Sequence, residues 1–114
     1  MTAKYATLSP IPLKARGDVA YFAGLMEEKL QQNDDKAGWG RCSLLWLQTK
    51  LTEEVGQLGK LLANLHAFDT GQQFQKTEDT RMSDDIEAAA WEAVDVANVA
   101  MMITSQLTDW LDRN

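Results

Sequence analysis

A chain of 114 residues with 17 acidic against 11 basic side chains, a formal net charge of -6, fits one domain spanning residues 1–114 with a modest core. That charge opposes a nucleic-acid partner and raises the demand for counter-cations. A single cysteine, Cys42, and a single histidine, His66, exclude an internal disulfide and supply too few ligands for a closed zinc site.

Residues 1–15 carry Pro10 and Pro12 with little periodicity and read as an extended arm. MTAKYATLSPIPLKARGD contains no continuous apolar core, and the most apolar later stretch is short and interrupted by carboxylates, so the expectation is a soluble cytoplasmic protein with no membrane partner. From Gly17 to Gln32, Val19, Phe22, Ala23, Met26 and Leu30 recur at three- and four-residue steps, with Glu27, Glu28 and Lys29 assigned to the other side. This predicts a first amphipathic helix. NDDKAGWGRCS sets Trp39 between two glycines among charges and reads as a loop that ends at Ser43, a candidate N-cap.

A second helix is predicted from about Leu44 to Phe68, with Leu44, Leu47, Leu51, Leu58, Leu61, Leu62 and Leu65 on one side and Val55 at its edge. Gly56 and Gly59 within it suggest close approach of a neighbouring helix. Residues 69–82 lose all periodicity and read as the connection between the long helices. SDDIE offers Ser83 or Asp84 as the N-cap of a third helix that continues to about Leu111 without proline or glycine. No segment alternates like a strand, and no fixed-period repeat is present. The fold expected is all-α: two long antiparallel helices plus a shorter N-terminal one, a bundle completed by oligomerisation.

The chemistry concentrates on carboxylates in apolar company. At about 100° per residue, Glu54 projects between Leu47, Leu58, Leu61 and Leu65. Lys50, four residues earlier, can reach it; Gln57 lies one turn beyond, and Glu53 points to the edge of the stripe near Trp46. In WEAVDVANVAMM, Glu92 and Asp95 share a face with Ala88, Trp91, Val99 and Met102, while Ile86, Ala90, Ala93, Val94, Ala97 and Met101 cover the other. A helix apolar nearly all round must be buried on most of its circumference, which points to a second copy of the chain as its partner. Holding ionised carboxylates there costs on the order of several kcal/mol. Protonation, a basic partner or a divalent cation offsets such a cost. No Lys or Arg occurs from Ile86 to Trp110 and Lys50 alone is outnumbered, so a hard cation, Mg²⁺ or Mn²⁺, is the favoured remedy.

The same residues carry a family resemblance. Glu54 to Gln57 in KLTEEVGQLGKLL and Glu92 to Asp95 in WEAVDVANVAMM resemble the E-x-x-E and E-x-x-D motifs of the all-α, MazG-like nucleoside triphosphate pyrophosphohydrolases, a superfamily that includes the dimeric dUTPases. DDKAGW is similar to the K-G-G-W segment of its small phage and bacterial members, and DVANVAMM to their D-V-A-N-F-A-M-M; the likeness spans about residues 25 to 107. The resemblance implies hydrolysis of a (deoxy)nucleoside triphosphate to monophosphate and pyrophosphate. Glu54, Glu92 and Asp95 would act catalytically and, with Gln57 and Glu53, hold Mg²⁺. It further implies that Trp39 stacks on a base, that Lys36 or Arg41 meets phosphates and that Asn98 touches substrate. Trp39 and Asn98 have interface alternatives, as a packing lid and a cross-interface hydrogen bond. Gln57 departs from the motif: its carbonyl can coordinate a hard cation with one negative charge fewer, and Glu53, about 100° away, substitutes imperfectly. The alternative function is therefore a catalytically weakened nucleotide- or metal-binding module with a regulatory or oligomerisation role.

Overall fold

The computed structural model describes residues 14–32, 39–69 and 79–113. They form three helices, α1 (Gly17–Gln31), α2 (Leu44–Asp69) and α3 (Asp79–Arg113), with a 3₁₀ turn at Trp39–Arg41 ahead of α2. Among the described residues there is no strand, and no helix is long and apolar enough to cross a membrane. Of the expected N-terminal arm only Lys14 and Ala15 lie within the described residues, and they belong to no regular element.

Local chemistry explains most of the helix ends. Ser43 caps α2 as its sequence suggests: its Oγ accepts the Trp46 backbone N–H at 3.0 Å, and its carbonyl accepts that of Leu47 at 3.0 Å. Arg16 occupies the cap position of α1 without a side-chain bond, while Asp18 in the first turn and Lys29 in the last have the signs that the helix dipole favours. The start of α3 departs from expectation. The helix begins at Asp79, so Ser83 and Asp84 lie inside it rather than capping it, and it runs on to Arg113. DTRMS contains neither glycine nor proline, and once a helix is nucleated each further residue adds a bond. The connection expected over 69–82 is correspondingly confined to 70–78, outside the described residues.

Both α1 and α2 pack on α3. Gln106 of α3 donates to the Cys42 carbonyl at 2.6 Å while Glu54 meets Glu92, so α2 runs antiparallel to α3. Asn98 bonds to the Met26 carbonyl and Asp95 faces Lys29, so α1 is antiparallel to α3 as well, on another of its sides. No residue from Trp91 to Val99 is exposed. Burial around this part of α3, which the sequence assigns to a second copy, is thus supplied largely by α1 and α2.

The core comprises Leu47 from α2 with Ala89, Val94 and Val99 from α3, beside Thr108, whose hydroxyl bonds to the Thr104 and Ser105 carbonyls. Leu44, Leu51, Leu58, Leu61 and Leu65 are half-buried along the same helix as Leu47. Leu62, by contrast, is 51% exposed. It lies about 60° from Leu47 around α2, toward the exposed Val55 and beyond the sector that α3 covers. Nothing buries outright in α1: Phe22, Met26 and Leu30 are half-buried, and Val19 is exposed although it belongs to the predicted apolar stripe. A Cβ on Gly56 or Gly59 would meet nothing within 4 Å, so the neighbouring helix expected there is not supplied by this chain's described residues.

Candidate metal centre

The leucine stripe of α2 delivers Glu54 to the interface with α3. It is the stripe's one acidic member, 6% exposed, in the sector occupied by Leu47 and Leu58. From the facing helix Glu92 and Asp95, three residues apart, project toward it. One carboxylate oxygen from each of Glu54, Glu92 and Asp95 lies within 4.8 Å of the others. For comparison, opposite oxygens on one hard cation with bonds of about 2.1 Å are about 4.2 Å apart. Glu92 Oε2 is buried with no hydrogen-bond partner, the kind of oxygen that a cation or a second donor could satisfy. An all-oxygen donor set of this kind suits a hard divalent ion.

Two ammonium groups border these three carboxylates. Lys50 bonds to Glu54 Oε1 at 3.1 Å and to Glu53 Oε1 at 3.1 Å. Those two bonds outweigh its partial burial and raise its pKa. The second ammonium comes from α1: Lys29 Nζ is 4.0 Å from Asp95 Oδ1 and 5.7 Å from the centre of the Trp91 ring. This corrects the sequence reading, which set Lys29 on the polar side of α1 and offered Glu92 and Asp95 only the outnumbered Lys50. Lys29 stands seven residues after Phe22, within about 20° of it around the helix, so its stem follows the apolar face and its head reaches α3. That angular coincidence was the available signal.

Charge crowding then sorts the carboxyls. Burial, the hydrogen bond with Glu54 and the charges of Glu54 and Asp95 push Glu92 up to about 7, against a smaller opposing pull from Lys50. Burial also works to raise Glu54, but the bond from Glu92, the bond and charge of Lys50 and the charge of Lys29 together hold it below the ordinary carboxylate value. Burial raises Asp95 too, with Glu54 adding to that and Lys29 and Lys50 opposing it. Below about pH 7 the shared proton is therefore favoured on Glu92, which donates to Glu54. Two of the three remedies foreseen for stranded carboxylates operate at one place, a proton and two lysines, beside a gathering of oxygens that could hold a metal ion.

The remaining candidates are placed differently. Gln57 is exposed one turn beyond Glu54, and Glu53 is exposed and bound to Lys50. Asn98 is 4% exposed; its Nδ2 donates to the Met26 carbonyl at 3.3 Å and its Oδ1 is buried without a partner, so it fastens α1 to α3 beside the carboxylates. Arg41 is exposed on the 3₁₀ turn, of Trp39 only the backbone is described, and Lys36 lies outside the described residues. His66 is exposed near the end of α2. Trp91, read from sequence as core, is half-buried and doubles as the platform for Lys29. Comparison with protein-family models, with curated proteins and with solved structures found no match to this chain.

Proposed function

We propose that the protein is a MazG-like nucleotide pyrophosphohydrolase that uses Mg²⁺, or Mn²⁺ in its place, to split a (deoxy)nucleoside triphosphate into monophosphate and pyrophosphate. The observation that carries this reading is the convergence of Glu54, Glu92 and Asp95 from two antiparallel helices, within 4.8 Å, at the positions of the paired acidic motifs. These three side chains would hold the cation, with Gln57 or Glu53 offering a further oxygen from the exposed flank of α2. A bound divalent ion supplies charge neutralisation at phosphate oxygens and a polarised water. The chain's own groups do the rest. Lys50 fixes the rotamer of Glu54, the burial of Glu54 limits its contact with water, and Glu92 must give up its proton before it can act as a ligand.

A homodimer or dimer of dimers in the cytoplasm belongs to the same proposal. Its support is the set of large apolar side chains that one chain leaves open, among them Leu45 at 72%, Trp46 at 52% and Trp110 at 53% exposure. Gln57 favours a second reading, a catalytically weakened module that binds nucleotide or metal in a regulatory role, because this uncharged side chain contributes no negative charge one turn from Glu54.

A panel of nucleoside triphosphates scored for pyrophosphate release with Mg²⁺ or Mn²⁺ separates the two. Turnover that disappears in Glu92→Ala is the outcome expected. A rise in melting temperature with cation but no release from any nucleotide, together with activity gained in Gln57→Glu, selects the weakened module. Absence of any cation-dependent rise removes both.

A further inference from the structure

We propose that Lys29, reaching in from α1, is the residue that meets the phosphate oxygens of the ligand at this centre; the inference rests on the cation-binding reading above. Its ammonium is 4.0 Å from Asp95 Oδ1 and 5.7 Å from the centre of the Trp91 ring. Trp91 and Asp95 are one turn apart on the same side of α3, so a single side chain from another helix addresses both. The Lys29 and Asp95 side chains retain 31% and 29% exposure, which puts the pair at the rim where the acidic cluster opens to solvent. Lys50 is spent differently, bound at 3.1 Å to each of Glu53 and Glu54.

The chemistry of an anionic ligand requires such a group. Three gathered carboxylates repel phosphate, and a polyphosphate brings more negative charge than one divalent ion cancels. Positive charge in reach of the same oxygens must come from the protein. Lys29 has the right partner for this, because Asp95 is one of the carboxylates that would ligate the cation. Neutralising Asp95 weakens its hold on the ammonium, which the aromatic face of Trp91 keeps in place. The ammonium then serves phosphate oxygens as a charge-assisted donor. The role is therefore conditional: Lys29 pairs with Asp95 while Asp95 ligates no cation and becomes an anion contact once it does.

Calorimetric titration reads the two stages separately, first Mg²⁺ alone and then pyrophosphate with Mg²⁺ saturating. The parent protein is expected to bind both. Lys29→Met should bind Mg²⁺ at least as tightly as the parent, since a nearby positive charge has gone, and lose tenfold or more in pyrophosphate affinity; Lys29→Arg should restore most of that loss. Merely structural damage would weaken Mg²⁺ binding as well. Retention of pyrophosphate affinity within twofold in Lys29→Met overturns the inference and leaves the cation reading standing. So does a parent that binds Mg²⁺ but not pyrophosphate, whereas a parent that binds no Mg²⁺ overturns both. Should Lys29→Met fail to fold, amine acetylation of the parent decides the matter by mass spectrometry. Modification of Lys29 should slow severalfold with Mg²⁺ and pyrophosphate together but not with Mg²⁺ alone, and equal rates in the two conditions overturn the inference.

Discussion

Glu92 keeps its proton to about pH 7 because burial, the bond with Glu54 and two neighbouring negative charges all disfavour its ionised form. Between its ordinary value of 4.5 and about 7 the folded chain therefore binds more protons at this site than the unfolded chain does. Stability contributed by this group is complete below that window and declines as pH rises through it. Glu54 has the opposite sign: its lowered pKa adds stability above the ordinary carboxylate value that is lost as pH falls through the lowered one. Melting temperatures recorded in EDTA should thus fall from pH 5 toward pH 8, and the increment from added Mg²⁺ should grow over the same range as ion displaces proton. Glu92→Gln, which keeps a donor toward Glu54 without a charge, should flatten the EDTA profile. A parent profile already flat in EDTA contradicts the shared proton. The position of Glu54 was readable from sequence because helical geometry alone puts residue 54 in line with residues 47, 58 and 65. The acidity of its neighbour was not, since it depends on which helix lies opposite and at what height.

Element by element, the helices were legible where the chemistry that makes them is local. A hydroxyl at residue 43 ahead of a leucine-rich run announces α2, and it makes the expected bond to Trp46. The beginning of α3 was not, because nothing in residues 79–83 forbids helix and a later start was inferred from a favourable cap after a stretch without periodicity. Lys29 was hidden for a related reason: chemical type placed it with the glutamates, whereas geometry places it with Phe22. The two glycines of α2 offer a test of what lies outside the single chain. With open space around both positions, Gly56→Ala and Gly59→Ala should each raise stability by about 0.5–1 kcal/mol in urea unfolding, through higher helix propensity alone. Loss of stability on either substitution would instead mark the place where a helix of another molecule lies close.

At the scale of the whole molecule, α3 is the shared support: its 35 residues span about 52 Å at 1.5 Å each, close to the longest dimension of 55 Å. Its middle is wrapped by α1 and α2, whereas Ile86 toward one end and Leu107, Trp110 and Leu111 toward the other are exposed. A chain whose described residues seal so small a core and leave such open ends on α3 should gain by association. Sedimentation at micromolar concentration is expected to give two or four times the single-chain mass, and lysine at Leu62 or Trp110 should shift that distribution toward single chains if those residues are covered. A parent that sediments as one chain at every concentration removes the assembly from the proposal.

The slender attachment of α1 carries one more implication. This helix seals no side chain of its own and is joined to its support by an amide at Asn98 and an ammonium at Asp95, both beside the acidic cluster. Whatever alters the charge at that spot alters the grip on the one of the three described helices that has no buried residue. An event a few ångströms across thereby gains a lever arm some twenty ångströms long, the reach of fifteen helical residues.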